Sequence, residues 1–272
     1  MTRAFIKCIT VAVFWGLFQS LFTFYVSGKI MFSDIILMYN FLDVSFILAS
    51  IIDMSINLLP FFLFQILFGT YIYQHYCTAS VYFFSRFQNR VQWFLKECLG
   101  LYVLALVYPM VIILSGTAFI SMITGVSFDK TSFILLLYYG LLHSLWLFLT
   151  ALLMNILAIK LDSSNGFIVV ASIQLICVAV LMLWDKVWPL IDHPNVEMHA
   201  LFLKFNPISH LILSWHSSPI SAISEQMNTL NIDFSLNTSV IIYLFISLIV
   251  VLVGCIVVKA QELISLNREG GI

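Results

Sequence analysis

Long apolar runs alternate with short polar connections along this chain. Each run that approaches the ~20 residues needed to cross a bilayer core reads as a membrane-spanning helix. The runs are Phe5–Val26, Asp53–Tyr73, Leu101–Ile120, Ser132–Ile159, Gly166–Leu183 and Ser239–Val258. The last four contain no Asp, Glu, Lys or Arg, and a charge at a helix centre costs at least ~2.5–3.5 kcal/mol on insertion scales. Lys7 lies close enough to the inner end of the first run to snorkel to the surface. The pattern predicts an all-α polytopic integral membrane protein: one domain, residues 1–272, built as a bundle of six transmembrane helices.

Orientation follows from the basic residues. If the N-terminus is inside, Arg3, Lys7, Arg86, Arg90, Lys96, Lys160, Lys259 and Arg268 are cytoplasmic. Lys29, Lys130, Lys186 and Lys204 are then outside. The excess of Lys and Arg inside favours this N-in, C-in arrangement. Trp93, Trp184 and Trp188 fall where interfacial aromatic belts form.

Three connections differ from ordinary short loops. Residues 27–52 are outer, mostly apolar and interfacial. The inner loop from Gln74 to Cys98 is basic. The outer segment 185–238 is the longest and holds Pro189, Pro194, Pro207 and Pro219. Its apolar patches, Ala200–Phe205 and Ile208–Trp215, are too short to span and suit short helices in or near the outer leaflet.

Composition agrees with the pattern. The chain is 62% hydrophobic and 9% charged, whereas a soluble domain carries about 45–50% apolar and about 25% charged residues. A net charge of -1 gives no basic footprint for nucleic acid. Cys8, Cys77, Cys98, Cys177 and Cys255 fall in apolar runs or the inner loop, which argues against a disulfide framework. The start, Met-Thr-Arg-Ala-Phe-Ile-Lys, resembles a signal peptide, but the apolar stretch is too long and lacks an A-x-A-like exit, so it reads as an uncleaved span.

Within the inner loop, Phe83, Phe87, Val91 and Phe94 recur at helical spacing, with Gln88, Gln92 and Lys96 opposite. Arg86 and Arg90 border the apolar stripe. The reading is an amphipathic cytoplasmic helix feeding into the third span. It serves either as an interfacial helix on anionic lipid or as a docking element for a cytoplasmic partner. Inside the spans, Gln65, His143, Asn155 and Gln174 are candidates for interhelical hydrogen bonds or for the polar lining of a pathway. Asp53 reads as an interfacial carboxylate, and Pro60 and Pro109 as kink sites. His193, His199, His210 and His216 share the outer segment, but each pair is spaced i, i+6, which does not place both on one helix face. With no accompanying Cys and no H-E-x-x-H, the pattern argues against a metal site.

The run Tyr82-Phe83-Phe84-Ser85-Arg86-Phe87-Gln88-Asn89-Arg90-Val91-Gln92-Trp93-Phe94-Leu95-Lys96 resembles the first cytoplasmic loop of six-span permease subunits of type-2 ATP-binding-cassette exporters. Such permeases occur in Gram-positive bacteria and often serve bacteriocin or antimicrobial-peptide export and immunity. The matching positions are Ser85, Arg86, Arg90, Trp93 and Lys96, after a span holding Pro60 and Gly69. A second likeness is Asn206-Pro207-Ile208-Ser209 followed by Trp215-His216, similar to the outer element between the last two spans of those permeases. One departure is that many of them begin with an amphipathic elbow helix, whereas few residues precede the first run here.

The resemblance implies a bacterial cytoplasmic-membrane permease that pairs with itself or a sister permease. A separate P-loop ATPase would carry ATP and Mg, and the cargo would be an amphipathic peptide or lipid-like molecule. No G-x-x-x-x-G-K-[ST] occurs in this chain; the only Gly-Lys pair, Gly28-Lys29, is followed by Ile30. Neither a G-x-S-x-G nor paired intramembrane carboxylates point to an intramembrane hydrolase. The expectation is therefore a subunit with no catalytic residue, cofactor or metal of its own. The alternative is a non-transporting membrane immunity or scaffold protein.

Overall fold

The computed structural model describes residues 2–21, 29–40, 47–82, 89–187, 196–228 and 234–260. The regular structure of the described residues is helical apart from one minimal strand pair and an isolated bridge between Ser217 and Ser235. Five of its described helical segments are long and apolar enough to cross a membrane: Ile56–Thr78, Arg90–Ser121, Lys130–Lys160, Ser163–Trp184 and Leu236–Ala260.

Helix α1 (Thr2–Ser20) runs parallel to α5 (Arg90–Ser121). Cys8 donates from its Sγ to the Leu104 carbonyl at 3.6 Å, and Gly16 meets Gly116 further along. The absence of side chains at Gly16 and Gly116 is what lets the two backbones touch. A Cβ at Gly16 would lie 2.4 Å from the Ile112 carbonyl oxygen, and one at Gly116 would lie 3.0 Å from the Gly16 carbonyl oxygen. Small residues at such crossings are the usual device for close helix packing in lipid.

Between these helices come β1 (Ile30–Met31) and α2 (Phe32–Met38). β1 pairs in parallel with β2 (Val126–Ser127), Ile30 opposite Val126 and Met31 opposite Ser127. This ties the 27–52 region to the turn before α6 (Lys130–Lys160). The Ser33 N–H donates to the Ser132 hydroxyl at 3.1 Å, and the Tyr39 hydroxyl to the Gly16 carbonyl at 2.8 Å.

The second apolar run is a broken helix: α3 (Ile47–Phe68) and α4 (Tyr71–Tyr82) meet at Gly69 and Thr70. Asn155 on α6 satisfies the main chain at the break. Its amide donates to the Phe68 carbonyl at 2.9 Å, and its side-chain oxygen accepts from the Tyr73 N–H at 3.0 Å. In apolar surroundings an unmet backbone group costs several kcal/mol, so Asn155 makes the break tolerable. Pro60 lies inside α3, where its carbonyl accepts from the Tyr108 hydroxyl at 3.0 Å. Asp53 lies within α3 rather than at its start.

Much of the expected Gln74–Cys98 loop is helical. α4 continues to Tyr82, and α5 begins at Arg90. The Asn89 side chain accepts from the Gln92 N–H at 3.2 Å, a side-chain N-cap. A single uninterrupted helix from Phe83 to Lys96 is therefore not what forms. From Arg90 the helix runs directly into the third apolar run. Phe83, Ser85, Arg86 and Phe87 lie outside the described residues.

α6 is the axis of the bundle. Of its most apolar stretch, 89% is covered by neighbouring protein, against 28% for α7 (Ser163–Val187) and for α10 (Leu236–Ala260). α5, α7, α10, α3 and α4 all pack on it. α10 runs parallel to α6: the Tyr138 hydroxyl donates to Asn237 at 2.6 Å, and the Trp146 and Tyr243 rings lie 5.7 Å apart. The exposed faces of α7 and α10 are apolar, from Ile168 to Leu183 and from Ile241 to Ile256, as suits contact with acyl chains.

The connection between α7 and α10 holds α8 (Val196–Phe205), single 3-10 turns at Ser209–Leu211 and Leu213–Trp215, and α9 (Ser221–Met227). None is long enough to span. The first apolar patch lies against α7, where the Phe202 ring stacks 4.1 Å from Trp184.

Candidate functional site

The residues singled out from the sequence fall into three places in the fold. The first is the start of α5. Arg90, Trp93 and Lys96 lie on its opening turns. Phe94 is buried and fills the space above Gly254 of α10, where a Cβ would come within 2.4 Å of the ring. Trp93 packs 6.0 Å from Tyr76 of α4. Lys96 is exposed and edges an apolar groove of about 630 Å³ between α1, α4 and α5, lined by Phe5, Tyr71, Leu99 and Val103. His75 Nδ1 lies 2.9 Å from Glu97 Oε2, joining α4 to α5.

Mid-bundle polar groups form the second place. Gln65 of α3 donates from its amide nitrogen to Gln174 of α7 at 2.8 Å and to the Thr150 hydroxyl of α6 at 3.0 Å. Gln174 returns a bond to the Gln65 oxygen at 3.1 Å and donates to the Val170 carbonyl at 3.3 Å. Two glutamines far apart in sequence thus join three helices. His143 lies one turn from the Tyr139 carbonyl, 2.8 Å from Nδ1, and stacks on the Tyr139 and Phe61 rings at 3.9 and 5.5 Å. Asn155 serves the α3–α4 break. All four are buried and engaged with protein. Through these bonds and ring contacts they join neighbouring helices of the bundle.

The connection after α7 makes the third. The Asn206 amide donates to the Cys177 carbonyl of α7 at 2.8 Å, and its oxygen accepts from the Ile208 N–H at 2.9 Å. The Pro207 carbonyl accepts from the Tyr243 hydroxyl of α10. Trp215 is buried, and His216 lies beneath the Phe234 ring at 4.3 Å, nearly parallel. Sequence reasoning missed the partner that organises this region. Ser239 on the first turns of α10 lies 2.8 Å from both His210 Nδ1 and His216 Nε2. An i, i+6 spacing separates two side chains on a helix, but here the chain turns through two 3-10 turns and brings both rings to one hydroxyl. The Ser217 N–H donates to the Phe234 carbonyl at 2.8 Å and the Leu236 N–H to the Ser217 carbonyl at 3.1 Å, fixing the same junction through the main chain.

A serine beside two histidines invites a hydrolase reading, yet Ser239 and His216 are fully buried and His210 nearly so. A nucleophile needs a route for its substrate, and this hydroxyl faces protein on all sides. No group of three or more His, Cys, Asp or Glu side chains among the described residues is arranged to hold a metal ion. Burial pushes His216 down to about 3 and lowers His210 as well. It also lowers His199, whose Nδ1 accepts from the Trp184 indole at 3.0 Å.

No protein family, no curated protein and no solved structure matches this chain.

Proposed function

We propose that the chain is the membrane-spanning subunit of an ATP-driven exporter, inserted N-in and C-in with six passes, that moves an amphipathic peptide or lipid-like cargo while a separate ATPase hydrolyses ATP. The observation that carries this reading is α5. Its 32 residues run from Arg90 to Ser121 without a break, from a basic surface turn to the far end of the bundle, in contact with α1, α6 and α10. A rigid helix of that length converts a push at its start into movement at its core. The helix directions support the orientation. The parallel pairs α1 with α5 and α6 with α10 put Arg3, Lys7, Arg90, Lys96, Lys160 and Lys259 at one end of the bundle, the end expected in the cytoplasm.

The mid-bundle bonds of Gln65, Thr150, Gln174 and Asn155 favour a second reading, a non-transporting immunity or scaffold protein, because these side chains are occupied within one copy. In the transporter reading the pathway lies between two copies or between this chain and a sister permease. ATPase capture separates the two. Membrane-inserted wild type, R86K/R90K and R86E/R90E forms are compared for recovery of a P-loop ATPase. The transporter reading expects wild type to recover the ATPase and the Glu form to lose it, because reversed charge repels a carboxylate-bearing partner. Equal recovery from all three, or none from wild type, removes the docking role.

A further inference from the structure

We infer that His210, Ser239 and His216 form a binding site for one proton, shared across the serine hydroxyl, that pins the connection between α7 and α10 to the start of α10.

The argument is a count of hydrogens. A neutral imidazole has one N–H and one lone pair. His210 Nε2 lies 2.9 Å from the Lys204 carbonyl and His216 Nδ1 lies 2.8 Å from the Ile212 carbonyl. A carbonyl can only accept, so each ring directs its N–H there, which assigns the tautomers. The remaining nitrogens, His210 Nδ1 and His216 Nε2, are then both bare acceptors, and both face Ser239 Oγ at 2.8 Å. Serine has a single O–H. With both rings neutral, one nitrogen receives it and the other meets an oxygen lone pair at hydrogen-bond distance. One added proton removes the conflict: that ring donates to Oγ, and the hydroxyl donates to the other ring. All four ring nitrogens are then satisfied. A second proton would leave the hydroxyl only the Ser235 carbonyl, further off at 3.4 Å, and would set two cations against one oxygen. The site therefore holds one.

Among the described residues the surroundings favour a cation through aromatic faces. The Phe234 ring lies 4.3 Å from His216 and 5.0 Å from His210, and the Tyr243 ring lies 5.7 Å from His210. Aromatic faces attract cations. Among the described residues no carboxylate bonds either ring. α8 carries Glu197 and Lys204, both exposed; α9 carries exposed Glu225; α7 offers Cys177; and α6 offers His143 and Tyr139, with no Asp, Glu, Lys or Arg between Lys130 and Lys160. Burial opposes the charge, and the bridge favours it by hydrogen-bonding the charged form. His210 is the less deeply enclosed ring and carries the added proton.

The inference is independent of transport, and its test needs no substrate. Full-length protein with ¹⁵N-labelled histidine is reconstituted in lipid, in an H75Q/H193Q background that leaves the site untouched. Ring nitrogen spectra between about pH 5 and 8, with the His210 and His216 signals assigned by their loss in H210Q and H216Q, report which of these two rings carries two N–H groups. One imidazolium is expected near the acidic end. It should vanish in S239A and persist in S239T, which keeps the hydroxyl. Loss of the signal as pH rises should be accompanied by faster amide exchange at Ser209–Trp215. No imidazolium across the range, two of them, or one that survives in S239A overturns the inference.

Discussion

Gln65 and Gln174 exchange amide hydrogen bonds across the middle of the bundle, at 2.8 and 3.1 Å, and Thr150 takes the remaining amide hydrogen of Gln65. Removing either glutamine strands the other in an apolar interior. Q174L should destabilise the protein by about 1–3 kcal/mol, the cost of an unmet buried polar group. The double variant Q65L/Q174L should cost less than the sum of its singles, with a coupling of about 0.6 kcal/mol and at most ~1.7 kcal/mol. Unfolding in mixed micelles measures this, and strictly additive costs would show that the pair does not act as a unit.

Asn155 should control the α3–α4 break. Replacing it with Leu keeps the volume but frees the Phe68 carbonyl and the Tyr73 N–H. The Tyr73 amide should then exchange faster with solvent deuterium, and stability should fall by about 1–3 kcal/mol. Unchanged exchange at Tyr73 would mean that the break holds itself.

The glycines of α5 and α6 should not respond alike. A Cβ at Gly116 would collide with the Tyr39 hydroxyl, which occupies the crossing with α1. A Cβ at Gly140 would meet the flexible end of Met110 at 2.3 Å, which can swing aside. G116A should cost about 1–3 kcal/mol, as overpacking does, and G140A clearly less. Because the collision is with the hydroxyl, Y39F should relieve part of the G116A cost. A Y39F/G116A double variant no better than the sum of its parts would contradict this geometry.

Asp129 caps α6, accepting from the Ser132 N–H at 3.2 Å and from the Thr131 and Ser132 hydroxyls. The Ser132 hydroxyl, then that of Thr131, holds its carboxyl below the ordinary range. A lowered pKa means the cap contributes above the unfolded-state pKa and is lost as pH falls through the lower folded value. The thermal midpoint of D129A should therefore lie below that of wild type at neutral pH, and the gap should narrow only on strong acidification. A gap independent of pH would assign the loss to packing.

Sidedness is open to direct labelling. In a background without native cysteines, S221C, at an exposed position on α9, should react with an impermeant thiol reagent on intact cells, and S85C should not. The reverse pattern would invert the orientation.

The long helices were legible in the sequence because apolar length is a strong, local signal. The predicted runs 132–159, 166–183 and 239–258 lie inside α6, α7 and α10. The third run, 101–120, lies inside a longer α5, whose start could have been read from Asn89 and Gln92, a capping residue followed three positions later by Gln. The convergence of His210 and His216 on Ser239 was not legible. It depends on two 3-10 turns and on a helix that begins more than twenty residues later, and no periodicity encodes either. Gln65 and Gln174 were visible as polar residues in apolar runs, but their pairing is a property of how three helices meet.

The crossing of α1 with α5 sets an order on how the chain can be made. Gly16 and Gly116 are 100 residues apart. At roughly 5–20 residues per second, α1 leaves the ribosome on the order of 5–20 s before the helix it packs against. During that interval the side of α1 that meets α5, with Cys8 and Gly16, lacks that partner and relies on the insertion machinery, on lipid and on the earlier-made Tyr39 and Asn57, which bond Gly16 and Gln19. Biosynthesis is thus at its most vulnerable while α3 and α4 are emerging. Truncated chains stalled before Gly116 should hold α1 within reach of cross-linkers on the insertion machinery, and chains stalled beyond α5 should release it.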